Sequence, residues 1–194
     1  MEINIKKLIT NNLLEISVRI KKPIILVLGI FTSILFVTLT IINQPLQNPD
    51  AQNGIVSFEL AGNLATSTKI LNSWDSSAKL SASLSLGIDY LFLLLYSLFF
   101  FVIILKISKY FKNSLKLFSK IGIYLVLLQP LAALFDAIEN YFLIQLLFGS
   151  VNGAFSILAF CSASIKFLII ILGVIYLLSG LVLIYFKKNM PRTD

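Results

Sequence analysis

Histidine is absent from the 194 residues of this chain, and cysteine occurs once, at Cys161. Without histidine there is no imidazole base, no haem-ligating imidazole and no His-bound zinc. One cysteine excludes an intrachain disulfide and the paired-thiol relay of membrane oxidoreductases. Cys161 is read as a small apolar packing residue near a helix start. There is also no Walker loop, no zinc-protease pair and no Gly-x-Ser-x-Gly elbow. Neither a cofactor nor a metal is expected.

Apolar residues, by contrast, are in excess. They make up 58% of the chain, with a mean hydropathy of +0.92, against about 45–50% in soluble domains. They gather into four long stretches, Pro23–Asn43, Leu86–Ile107, Ile121–Phe148 and Ala163–Phe186. As helix, each is long enough to cross a hydrocarbon core of about 30 Å. The expected fold is an all-α membrane protein of four transmembrane helices over residues 23–186. A cytoplasmic amphipathic segment (1–22) precedes it, and a cytoplasmic tail (187–194) follows. A cleaved signal peptide is the competing reading of the N-terminus, but the first apolar run is too long and ends Asn43-Gln44-Pro45 without a small-residue cleavage pattern.

The net charge of +7 does not form a nucleic-acid patch, because 13 of the 16 basic residues lie in three segments flanking the stretches. They are Lys6, Lys7, Arg19, Lys21 and Lys22; Lys106, Lys109, Lys112, Lys116 and Lys120; and Lys187, Lys188 and Arg192. The segment Gln44–Ser85 has only Lys69 and Lys79, and Gly149–Ser162 has no charge. By the positive-inside rule both termini face the cytoplasm, and Gln44–Ser85 and Gly149–Ser162 face outward. Ile5, Leu8, Ile9, Leu13, Ile16 and Ile20 recur at helical spacing, an apolar stripe suited to the inner membrane surface.

Pro45, Pro49 and Asn53-Gly54 mark a loop at the start of the outer segment. Leu64, Thr68, Leu71, Trp74 and Ala78 then follow at helical spacing, so Asn63–Ser85 is read as one or two helices on the outer face. Asp75 and Lys79 are placed for an i,i+4 ion pair, and Trp74 suits the headgroup depth. Glu59, alone among apolar neighbours, is either a surface carboxylate or a group pointing into the bundle mouth. Gly149-x-x-x-Gly153 matches a helix-dimer pattern, yet its place in a connection marks a turn.

Four ionisable groups fall inside the stretches: Asp89, Asp136, Glu139 and Lys166. Such groups cost about 2.5–3.5 kcal/mol each on insertion scales and so face protein or water. Helical spacing puts Gln129, Ala133, Asp136 and Asn140 on one face, with Glu139 at its edge. Lys166 shares a face with Gly173, Leu177 and Gly180, and Asp89 with Leu93, Tyr96 and Phe100. These faces are expected to meet, with Lys166 paired to a carboxylate. Carboxyl groups outnumber the single lysine, so the cluster is expected to hold at least one proton at neutral pH. Pro130 is expected to kink the third stretch one turn before Asp136.

The run Val56-Ser57-Phe58-Glu59-Leu60-Ala61, then Trp74, Leu86-Gly87-Ile88-Asp89-Tyr90-Leu91-Phe92 with Tyr96, and Asp136-Ala137-Ile138-Glu139-Asn140 resembles a family of small bacterial four-span integral membrane proteins. The resemblance covers roughly residues 55–186. It implies a four-helix membrane fold in a bacterial inner membrane and carries over no activity. Glu59, Asp89, Asp136, Glu139, Asn140 and Lys166 form the candidate functional cluster. Three functions are compatible with it. The first is a non-enzymatic accessory, assembly or ligand-binding protein. The second is an enzyme working on a lipid or isoprenoid by carboxylate acid–base chemistry, and the third a small proton-linked transporter. The expected partners are the lipid bilayer, a lipid or small-molecule ligand, and a second copy or another membrane chain; nucleic acid is not among them.

Overall fold

The computed structural model describes residues 12–189, and this part of the chain is helical, with no strand among the described residues. After a helical segment at 12–19, the chain forms α1 (Lys22–Asn43), α2 (Ile55–Glu59), α3 (Leu64–Ser73), α4 (Ser76–Tyr110), α5 (Lys116–Leu147) and α6 (Gly153–Asn189), with a 3-10 turn at Gln44–Leu46. Helices α1, α4, α5 and α6 are each long and apolar enough to cross a membrane. This is an all-α membrane architecture.

Two of these helices run well past the apolar stretches that announce them. Helix α4 starts ten residues before Leu86, and α6 starts ten residues before Ala163. Hydropathy marks where a helix is apolar, whereas its ends are set by caps and breakers. Asp75 caps α4, its Oδ1 accepting from Ala78 N at 2.7 Å. That bond replaces the expected Asp75–Lys79 ion pair, since the carboxylate is already committed to the helix N-terminus. Gly149 (φ +93°) turns the chain out of α5, and α6 then begins directly at Gly153, the second glycine of the pattern.

Helix α5 packs between α4 and α6, while α1 packs mainly on α4 and buries none of its own residues. Leu26, Ile30, Phe31, Ile34 and Val37 on α1 are exposed, as are Leu168, Ile171, Ile175 and Leu178 on α6. In a bilayer these faces meet lipid tails, so their exposure costs little. Inside, small residues let the helices close. The glycines of α6 meet α4, Gly173 beside Ile104 and Gly180 beside Ile107. At Gly122 of α5 a side chain would collide with the Tyr176 hydroxyl, whose ring stacks on Phe118 at 4.3 Å. Pro130 lies within the continuous helix α5.

Residues 44–75 fold into a cap over one end of the α4–α5–α6 bundle. Asparagines shape it: Asn43 Oδ1 accepts from Ile55 N at 2.7 Å, Asn48 Oδ1 from Asp50 N and Ala51 N at 2.9 Å each, and Asn63 Oδ1 from Thr66 N at 2.9 Å. Gly54 takes φ +60°, a conformation that strains residues bearing a Cβ. Trp74 stands in the middle of this cap. It is 3% exposed, its Nε1 donates to Leu46 O at 2.9 Å, and Phe58 meets it edge-on at 5.5 Å. The indole N–H is thus met by a backbone carbonyl inside the cap. The chain turns a corner there, extended at Trp74 between α3 and α4, and the corner folds the indole inward. Leu46, Phe58, Ile70 and Trp74 of the cap share one apolar cluster with Ala78, Leu86, Leu143, Leu146 and Ala159 of the bundle.

At the opposite end, Lys106 of α4 donates to Ser17 O and Ile20 O, both at 2.6 Å. It closes the last turn of the helical residues 12–19, where carbonyls lack partners. Leu14 and Ser17 are buried against the bundle, while Ile16 is 45% exposed. The buried face of this segment is therefore rotated from the stripe through Leu13, Ile16 and Ile20. A membrane-surface stripe is defined by lipid, whereas this face is chosen by the bundle it rests on. Ile5, Leu8 and Ile9 lie outside the described residues.

Candidate functional site

Between the apolar layer under the cap and a middle layer of Leu93, Tyr96, Ala132, Ala133 and Ile169 lies a layer of charge. Three helices and the cap supply it. One turn of α5 offers Asp136, Glu139 and Asn140, all buried. Lys166 comes from α6 and is 5% exposed. From α4 come Asp89, partly buried, and Tyr96, buried about two turns deeper. Glu59 is the last residue of α2 and points down from the cap.

Lys166 Nζ is the centre. It lies 2.7 Å from Asp136 Oδ1, 2.9 and 3.0 Å from the two oxygens of Glu139, and 3.6 Å from Glu59 Oε2. The other oxygen of Asp136 accepts from Tyr96 OH at 2.9 Å. Asp89 stands apart from the ammonium and accepts from Asn140 Nδ2 at 2.7 Å. All six candidates of the sequence thus come together, five of them fully buried, and the open alternative at Glu59 resolves toward the bundle. The layer is reached because Asp136, Glu139 and Asn140 occupy successive positions of one α5 turn. Lys166 sits on the glycine face of α6, which draws that helix close.

Tyr96 is the partner that sequence reasoning did not single out. Its signal was present in the seven-residue spacing from Asp89, which sets both on one face of α4. Gln129, seven residues below Asp136, is also fully buried; its Nε2 donates to Leu125 O at 3.1 Å. Cys161 is exposed on α6, which corrects its reading as a packing residue. The helix starts ten residues earlier than the apolar stretch suggested, so Cys161 falls on the outward face of an established helix.

The electrostatics of the layer follow from its stoichiometry. One ammonium faces four carboxyl groups, Glu59, Asp89, Asp136 and Glu139. The place a metal ion would occupy between carboxylates is filled by the lysine nitrogen. Full ionisation would strand negative charge in a largely buried site, and isolated buried charges are expensive. Burial pushes the Glu59 carboxyl above its ordinary range, with Asp136 adding to the rise; the Lys166 ammonium opposes it and does not cancel it.

No protein-family model, no curated protein and no solved structure matches this chain.

Proposed function

We propose that the chain is a non-enzymatic multi-pass protein of a bacterial inner membrane, acting as an accessory or assembly partner. Its lysine–carboxylate layer is a clasp that joins α4, α5 and α6, with the cap seated over it at Glu59. The observation that carries this reading is the closure of the site: Lys166, Asp136, Glu139 and Asn140 are each 5% exposed or less, and their polar atoms face one another. Enzymes and carriers present their charged groups to a substrate, whereas here each group engages a neighbour from another helix. The short resemblance around Glu59, Asp89 and Asp136–Asn140 supports the bacterial assignment.

Complementation tests this reading. Asp136→Asn and Glu139→Gln keep shape and hydrogen-bonding capacity while removing a charge. For a clasp, any failure to rescue the deletion strain should track the loss of folded protein in the membrane. Variants that fold at wild-type levels yet fail to rescue the deletion strain would instead assign the carboxylates to ligand or proton chemistry. The surplus of carboxyl groups over ammonium favours proton-linked transport by an oligomer as the second reading, and that outcome would select it.

Both termini are assigned to the cytoplasm and the cap to the outer side, on the asymmetry of Lys and Arg between the two ends. A reporter active only in the cytoplasm should work when inserted between α4 and α5, within residues 111–115. It should fail within residues 47–53. The inverse pattern would overturn the orientation.

A further inference from the structure

Glu59 differs from the other members of the clasp in one respect: it belongs to the cap. Helix α2 is a five-residue helix held by apolar contacts through Phe58, and Glu59 is its only charged group. Its carboxyl is buried, and Oε2 has no hydrogen-bond partner among the described residues. Every charged group that faces it comes from elsewhere. Helix α5 presents Asp136 and Glu139, α6 presents Lys166, and α4 adds Asp89 at longer range. Helix α3 contributes no charge to the site, since its Lys69 pairs with Asp50 at 2.9 Å on the cap surface.

The arrangement makes Glu59 sensitive to its own proton. Lys166 already contacts two closer carboxylates, at 2.7 and 2.9 Å, against 3.6 Å for Glu59. A neutral Glu59 adds no charge to the layer. An ionised Glu59 adds a further negative charge beside Asp136 and Glu139, in a site whose only cation is already shared. The cap is the element that can relieve this, because α2 is tied to the chain by flanking loops and not by a long helix.

We propose that Glu59 is a proton-operated latch: a proton on its carboxyl keeps α2 seated over Lys166, and release of that proton to water lifts the cap from the bundle. The step is an acid dissociation, giving a carboxylate on Glu59 and a proton in the solvent, with no other bond made or broken. The proposal rests on the clasp reading above and adds a regulator to it.

The sign of the pH effect follows. Glu59 in the seated cap holds its proton more tightly than a free glutamic acid, whose ordinary value is 4.5. The contribution to cap closure is therefore complete below that value and is lost as pH rises through the raised one. Acid seats the cap; alkali releases it.

Trp74 reports the result directly, because it is the sole tryptophan and is buried within the cap, where Phe58 is its neighbour. The full chain in lipid vesicles, with the cap outside, would be titrated with acrylamide between about pH 5 and pH 9, upward from the ordinary carboxylate range. Quenching of Trp74 should rise several-fold toward the alkaline end, while the helical circular dichroism of the bundle stays constant. Glu59→Gln should keep quenching low throughout. Asp50→Asn and Asp75→Asn, the other carboxylates of the cap region, should retain the wild-type rise. A rise that persists in Glu59→Gln, or disappears in Asp75→Asn, would overturn the latch. Low quenching at every pH in the wild type, with strong quenching in Lys166→Met, would overturn the latch and leave the clasp intact. Strong quenching at every pH in the wild type would overturn both.

Discussion

Lys166→Met should lower the unfolding free energy by about 3–5 kcal/mol, the usual cost of removing one partner from a buried ion pair. The effect is large because the substitution takes away the only cation in the layer and leaves Asp136 and Glu139 facing each other unpaired. Methionine fills a similar volume, so packing loss is a small part of the result. Lys69→Met supplies the contrast. Lys69 also makes a 2.9 Å ion pair, with Asp50, but its side chain is 70% exposed. Such surface pairs contribute about 0–1 kcal/mol. Equilibrium unfolding in mixed micelles would measure both. Equal costs at the two positions would contradict the placement of Lys166 inside the bundle and would mean that its amine extends to the headgroups.

Trp74→Ala is the second large effect, at about 3–5 kcal/mol, in line with truncation of buried aromatic side chains. The indole joins three parts of the cap: its ring meets Phe58 of α2, its N–H holds the carbonyl of Leu46, and its backbone forms the corner into α4. Alanine would open a cavity and leave Leu46 O without its partner. Trp74→Phe separates these contributions, since it keeps an aromatic ring and removes only the N–H, at a cost nearer 1 kcal/mol. The loss should be local. Limited proteolysis within residues 47–53 should accelerate in Trp74→Ala, while the α4–α5–α6 bundle remains folded. Unchanged proteolysis together with a wild-type melting temperature would show that the cap does not depend on Trp74.

Different physical signals governed what could be read in advance. Hydropathy revealed the four long helices because a bilayer leaves few alternatives for an apolar stretch of that length. It was silent on the ends of α4 and α6, which depend on Asp75 and Gly153 and not on apolarity. Helical periodicity was enough to align Asp136 with Asn140, and Lys166 with Gly173 and Gly180, because charge and small residues both seek helix interfaces. The inward turn of Trp74 and the descent of Glu59 could not be read in this way. Both depend on the cap closing over the bundle, through contacts such as Trp74 with Leu46 that span 28 residues. No local pattern encodes that distance. Tyr96 was visible as a position on a face, but its bond to Asp136 requires knowing which face of α5 lies opposite.

The clasp predicts pairwise energies, and double-mutant cycles measure them. Lys166→Met combined in turn with Asp136→Asn and Glu139→Gln, at one fixed pH, should give coupling energies of about 1–3 kcal/mol, as expected for groups in one buried network. In each case neutralising the carboxylate recovers part of the loss caused by removing the lysine. Glu59→Gln, at 3.6 Å from the ammonium, should couple more weakly than either. Asp50→Asn, on the cap surface, should be additive with Lys166→Met within about 0.3–0.5 kcal/mol. Coupling that is strong for Asp136 and Glu139 and absent for Asp50 is the result the clasp requires. Additivity at Asp136, Glu139 and Glu59 alike would contradict it.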